Sequence, residues 1–126
     1  GLDRVRLGAP RTTDERLHLV LGHAAGFVYY VSITGITGTR SASAAELEAA
    51  LPRLRAATDL PIVIGFGIRT PEQAAQAAGI ADGAVVASAL LATLSETLDQ
   101  DLAPTKETLP RVLAQLEELS KAVRQR

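Results

Sequence analysis

Short apolar segments alternate four times with helix-forming segments along this chain of 126 residues. The apolar segments cover residues 2–7, 27–31, 61–64 and 83–86, and a last helix is predicted over residues 109–123. Mostly apolar strands that are separated by helices are typical of a parallel sheet covered by helices. The pattern therefore predicts a single α/β domain over residues 1–126, with four parallel βα units and one extra helix.

Four βα units are half of the number that closes a barrel, which takes eight. Four parallel strands on their own leave two open sheet edges, and open edges are sites of pairing with other chains. A stable structure therefore requires a partner half, a second copy of the chain, or an open flavodoxin-like sheet. We interpret the chain as a (β/α)₄ half-barrel, that is, half of a TIM (β/α)₈ barrel.

Composition excludes several classes of function. The net charge is −1, from 13 basic and 14 acidic residues, which predicts no binding to nucleic acid or to an anionic membrane surface. The chain has no cysteine, so it holds neither a disulfide nor a thiolate metal site. Its apolar runs are too short to span a bilayer, and we expect a soluble cytoplasmic domain. It has no methionine and starts at Gly1, so we expect that it was processed or cut from a longer chain.

Two loops at the ends of the last two strands have the features of a phosphate site, because parallel α/β folds bind ligands at the carboxyl ends of their strands. Gly67, in the segment Gly-Phe-Gly at 65–67, has no Cβ, so a phosphate can approach its N–H closely. Ala87 and Ser88 open a helix whose free N–H groups and dipole favour an anion. The ordinary alternative is a turn glycine and a capping serine. Their occurrence together favours a phosphate site.

The remaining candidate sites are weaker. Residues 32–41 form a long Gly/Thr/Ser loop, which is either a surface connection or a mobile lid that excludes water. His18 and His23 lie five residues apart on a predicted helix, where they point to different faces and predict no metal site. No pair of side chains in the chain is a convincing general acid and base, so we assign no catalytic residue.

These segments resemble the tryptophan synthase alpha chain family over essentially the whole chain. Residues 26–38, with Ser-Ile-Thr-Gly-Ile-Thr-Gly at 32–38, are similar to the region of its sixth barrel strand. Residues 60–68 are similar to its seventh strand, residues 70–74 to the start of the following helix, residues 82–89 to its eighth strand and residues 1–10 to its fifth. The motif over residues 60–68 is specific.

The resemblance implies a TIM barrel that cleaves indole-3-glycerol phosphate to indole and glyceraldehyde 3-phosphate. It implies no cofactor on this chain, since PLP belongs to the partner beta chain that receives the indole. The implied roles are lid residues for Thr37 and Gly38, phosphate binding for Gly67 and Ser88, and walls of the indole pocket for Tyr29 and Phe66. The family usually has Gly where this chain has Ala87, whose methyl group is expected to crowd the phosphate.

The resemblance also places the family's catalytic Glu and Asp in the first half of the barrel, which nothing here matches. We therefore expect the chain to be inactive alone and to pair with an N-terminal half-barrel or a second copy. Two other hypotheses stay open: half of another phosphosugar barrel, such as an epimerase or a histidine-pathway isomerase, and a non-catalytic half-barrel scaffold that pairs with itself. The tyrosine-containing strand and the loop after it argue against another phosphosugar barrel.

Overall fold

The computed structural model describes residues 3–31, 44–65 and 67–125. Within these residues, strands and helices alternate in the predicted order. The strands are β1 (Arg6–Gly8), β2 (Val28–Val31), β3 (Ile62–Gly65) and β4 (Gly83–Val85). The helices are α1 (Asp14–Leu21), α2 (Ala44–Ala57), α3 (Pro71–Ile80), α4 (Ser88–Glu96) and α5 (Thr108–Arg124).

The described strands form one sheet in the order β1-β2-β3-β4, and every neighbouring pair is parallel. Each strand therefore lies next to its neighbour in sequence, without a reversal of strand order. A reversal of the order is the feature that defines flavodoxin-like, doubly wound sheets. The observed order is that of a barrel wall, and it confirms the prediction of a half-barrel with parallel βα units.

The two faces of the sheet have different surroundings. Val28, Ile62 and Ile64 are fully buried on one face. They share a core with side chains of α1, α2, α3 and α5, namely Leu17, Leu21, Leu47, Leu54, Ala74, Ala77 and Leu119. The opposite face carries Leu7 and Tyr29, which are paired in register. Leu7 is 64% exposed. Helices thus cover one face, while an apolar side chain on the other face is left open to solvent.

Helix α3 starts within residues 70–74, where the family resemblance predicts a helix start. Thr70 is its N-cap in extended conformation, and Pro71 occupies the first helical turn, where its missing N–H costs nothing. The Thr70 hydroxyl accepts a hydrogen bond from the Gln73 N–H at 3.3 Å. Small side chains then let α3 approach the sheet, and Ala74 and Ala78 are completely buried.

Several predicted boundaries were wrong by one to four residues. Strand β1 begins at Arg6 rather than at residue 2 and includes Gly8, and β3 includes Gly65. Thr13 occupies the N-cap position of α1, but its side chain makes no capping hydrogen bond. Helix α2 continues through Pro52. Ser43 and Glu46 have the spacing that predicts a capping box at the start of α2, but they lie outside the described residues and side chains.

The apolar side of helix α5 is only partly buried. The sequence predicts that Leu113, Leu116 and Val123 share one apolar face, and their spacing does place them on one side of the helix. Leu119 is buried and Val123 packs against the core, whereas Leu113 and Leu116 are 51% and 47% exposed. Over the described residues, no helix is both long and apolar enough to cross a membrane.

Candidate phosphate-binding site

The candidate site lies at the carboxyl edge of β3 and β4. Gly65 and Val85 are register partners at the ends of these two strands. Because the strands are parallel, the segments that follow them leave the sheet at the same edge. Gly67 and Ala87 each come two residues after that register pair, so the structure places the two predicted phosphate loops after adjacent strand ends.

Gly67 has a backbone conformation that favours glycine. Its φ is +79°, in the left-handed region where a Cβ would be close to the backbone carbonyl. It is half-buried, and the next residue, Ile68, is buried in the core. A glycine is therefore needed here for the turn alone, and the same lack of a Cβ leaves the backbone N–H approachable.

The second loop ends in the first turn of α4. Ala87 is the N-cap, and its carbonyl accepts the first helical hydrogen bond from the Leu91 N–H at 3.0 Å. Ser88 is therefore the first helical residue rather than the cap, which corrects the sequence prediction. Its exposed side chain stands at the positive end of the helix dipole. Ala87 has φ −127°, so an alanine adopts this position without left-handed strain.

Tyr29 and Gly65 form a contact that the sequence analysis missed. A Cβ built on Gly65 would overlap the hydroxyl oxygen and Cζ of Tyr29. The phenol of Tyr29 thus extends along the face of the sheet from β2 and lies against the backbone of β3. The sequence signal for this contact is a glycine at the end of a buried strand, where a residue with a side chain would otherwise improve packing.

Three predicted site residues, Thr37, Gly38 and Phe66, lie outside the described residues, and so does the predicted lid over 32–41. The structure describes Tyr29, Gly67, Ala87 and Ser88, and it places the last three in the loops after β3 and β4. The roles of all seven residues in binding stay predictions.

The titratable groups near the site include one with a shifted pKa. Hydrogen bonds from its own backbone N–H and from the Thr70 hydroxyl lower the pKa of the Glu72 carboxyl, in the first turn of α3. On α5, far along the chain from the site, a hydrogen bond from Lys121 and the attraction of its charge lower the pKa of the Glu117 carboxyl. Among the described residues, no cluster of three or more His, Asp or Glu side chains is arranged to hold a metal ion.

The singly wound strand order defines half of a TIM barrel, and the left-handed glycine after β3 and the helix that starts after β4 lie where the phosphate site is predicted. The sequence model of the tryptophan synthase alpha chain family matches residues 1–124. The chain therefore belongs to the tryptophan synthase alpha chain family.

Known relatives agree with this assignment. The chain is 68% identical over 124 residues to the tryptophan synthase alpha chain of Gluconacetobacter diazotrophicus, covering 98% of this chain and 45% of the relative. It is 63% identical over 123 residues to that of Gluconobacter oxydans, covering 98% of this chain and 45% of the relative. The chain thus spans less than half the length of these relatives.

Solved structures support the same fold. Tryptophan synthase subunit alpha from Legionella pneumophila superposes with a TM-score of 0.80 at 33% identity, covering all of this chain and 44% of that one. A chain of Mycobacterium tuberculosis tryptophan synthase superposes with a TM-score of 0.77 at 40% identity, covering 98% of this chain and 42% of that one. These TIM barrels confirm the half-barrel interpretation of the strand order.

Proposed function

We propose that this chain supplies the phosphate-binding half of a tryptophan synthase alpha chain, which cleaves indole-3-glycerol phosphate to indole and glyceraldehyde 3-phosphate. The observation that carries the proposal is the left-handed Gly67 after β3, next to the start of α4 after β4. In this proposal Gly67 and Ser88 hold the substrate phosphate through backbone N–H groups and a hydroxyl. Tyr29 and Phe66 line the indole pocket, and Thr37 and Gly38 belong to the lid.

The chain alone is proposed to be inactive. In this proposal the family's catalytic Glu and Asp belong to the part of the relatives that this chain does not span, and no substitute pair is assigned among the described residues. The proposal includes no cofactor on this chain. PLP is placed on a beta chain that binds the complete alpha chain and takes up its indole. Both chains are proposed to be cytoplasmic.

The exposed apolar side chains and the unpaired strand edges of the chain indicate which partner completes the barrel. The uncovered face of the sheet carries Leu7, and α5 exposes Leu109, Leu113 and Leu116. Strands β1 and β4 each have one unpaired edge among the described strands. In a closed barrel the uncovered face becomes the interior, and both edges pair with further strands. The proposed partner is the N-terminal part of the alpha chain, which the relatives have and this chain does not span.

Complementation tests the proposal. The 126-residue chain is mixed with a separately produced N-terminal part of the Gluconacetobacter diazotrophicus alpha chain, and indole release from indole-3-glycerol phosphate is measured. We expect activity from the mixture and none from either part. Replacing Ser88→Asp is expected to abolish activity because a carboxylate repels the phosphate, whereas Ser95→Asp, exposed near the other end of α4, serves as the matched control.

The self-pairing alternative has a separate outcome in the same experiment. The mass in solution shows whether the chain alone forms a dimer and whether the N-terminal part displaces one copy. A dimer that persists in the presence of the N-terminal part, with no indole release, would favour the non-catalytic scaffold. Assembly of the two parts in a one-to-one complex without any indole release would refute the proposed lyase function.

A further inference from the structure

The described residues between β3 and α3, 67–70, are each restrained by their backbone conformation, burial or hydrogen bonds. Gly67 is in the left-handed conformation, and the side chain of Ile68 is buried in the core. The backbone N–H groups of Arg69 and Thr70 both donate to the side-chain oxygen Oε1 of Gln73. One side chain on the first turn of α3 therefore fixes the end of the loop that carries the proposed phosphate contact.

The hydrogen bonds that the Gln73 side chain accepts include one that an ordinary capping box does not have. In a capping box, the third helical residue accepts a hydrogen bond from the backbone N–H of the N-cap. Here the bond to the N-cap, Thr70, is the longer one at 3.3 Å, and the bond to Arg69, which precedes the N-cap, is the shorter one at 2.8 Å. The stronger bond thus restrains the loop rather than the helix.

We propose that Gln73 is a positioning residue for phosphate binding, because it holds the loop that follows Gly67 in the conformation that presents the Gly67 N–H. The inference rests on the proposed function. A loop that is ordered before binding does not have to be ordered by the ligand, so preorganisation raises affinity. Gln73 itself needs no contact with the phosphate for this effect.

The test uses the 126-residue chain, labelled with ¹⁵N and titrated with inorganic phosphate and with glycerol 3-phosphate. Gln73→Met keeps the length of the side chain and removes the acceptor. Gln76→Met is the matched control, since Gln76 is exposed on the same helix. Gln73→Glu retains an acceptor for both N–H groups. Hydrogen exchange at the Arg69 and Thr70 amides is measured in parallel.

The expected loss of phosphate affinity follows from the two hydrogen bonds that the Gln73 side chain accepts. We expect Gln73→Met to weaken phosphate binding about three- to tenfold and to speed amide exchange at Arg69, while Gln76→Met changes neither. Gln73→Glu is expected to keep the Arg69 amide protected. It is also expected to bind glycerol 3-phosphate at 0.15 M salt to within about threefold of the parent chain, because salt screens its added charge.

The opposite results would refute either the positioning role of Gln73 or phosphate binding itself. Parent-like binding by Gln73→Met, or a loss in Gln73→Glu as large as in Gln73→Met, would refute the positioning role. If Gln73→Met also loses the slow exchange of the buried α3 amides at Ala77 and Ala78, the helix itself is disturbed, and the phosphate affinities of Gln73→Glu and Gln76→Met are compared instead. A much weaker affinity in Gln73→Glu than in Gln76→Met would then refute the positioning role. An unsubstituted chain that binds no phosphate would refute phosphate binding by this half-barrel alone, and the phosphate role of Gln73 with it, whereas the lyase function is tested separately by complementation. Faster Arg69 exchange in Gln73→Met would still show the loop restraint.

Discussion

Replacing Gly65→Ala tests the packing of Tyr29 across the sheet. The new methyl group would overlap the hydroxyl oxygen and Cζ of Tyr29 and lie 3.0 Å from its Cε1. Non-bonded carbon atoms prefer a separation of about 3.5–4.0 Å, so the phenol ring has to move by more than about 1 Å. The ring would leave the place where it lines the proposed indole pocket.

The size of the effect follows from two opposing contributions. Overpacking in a closely packed region costs about 1–3 kcal/mol. Replacing glycine by alanine at a position without a positive φ stabilises by about 0.4–1 kcal/mol, because the unfolded chain loses conformational freedom. Gly65 lies in β3 and is not among the glycines with positive φ. The net expectation is a loss of about 1–2 kcal/mol in the free energy of unfolding.

The assay is urea unfolding of the 126-residue chain, followed by circular dichroism, with two further variants. Gly79→Ala is the matched control, since a Cβ on this exposed helical glycine meets nothing within 4 Å. It is expected to stabilise by about 0.5–1 kcal/mol. In a Tyr29→Ala background the overlap is gone, so Gly65→Ala should no longer destabilise, which gives a coupling energy of about 1–3 kcal/mol.

Two results would refute this reasoning. Stabilisation by Gly65→Ala as large as that by Gly79→Ala would show that the phenol of Tyr29 does not occupy the space above Gly65. Additive effects of Gly65→Ala and Tyr29→Ala would show that the cost arises elsewhere. An unchanged slope of the free energy against urea concentration is required for either comparison.

Three further predictions concern the same part of the fold. Gly67→Ala is expected to lose about 1–2 kcal/mol of stability, since its φ of +79° disfavours any side chain, and to weaken phosphate binding in the same titration. Asp82→Ala is expected to lose about 1–3 kcal/mol in urea unfolding, because the carboxylate accepts from the backbone N–H of Ile62 at 2.7 Å. Arg55→Ala removes only the half-exposed ion pair with the same carboxylate and should cost less than about 1 kcal/mol. Glu72→Gln removes a stabilising effect that is present above the ordinary carboxyl pKa of 4.5 and is lost as pH falls through the lowered pKa, so the difference in urea midpoint from the parent should shrink below pH 4.5.

Local chemistry explains which features of the fold could be predicted from sequence. The start of α3 depends on Thr70 as N-cap and on Pro71 in the first turn, and this adjacent pair is by itself a sequence signal for a helix start. The hydrogen bonds between Thr70 and Gln73 are local as well, but only the structure shows them. Helix α4 was predicted in the same way, but Ser88 was taken as its cap. The difference is one residue, because Ala87 supplies the first helical carbonyl without a side-chain bond.

Features that depend on distant residues were not predictable in this way. The exposure of Leu113 and Leu116 depends on how much of the apolar side of α5 meets α3 and α4, and a helical repeat alone does not show how much of that side is covered. The Tyr29–Gly65 contact joins positions 36 residues apart in sequence, and only the register of β2 against β3 brings them together.

The sequence by itself determined the βα order, the parallel half-barrel and the two loops of the candidate phosphate site, because strand composition, helix capping and glycine placement act over a few neighbouring residues. The tertiary structure alone decided which face of the sheet is covered and how Tyr29 lies over Gly65. These depend on strand register and on the direction of side chains after packing, and neither is encoded in any short stretch of the chain.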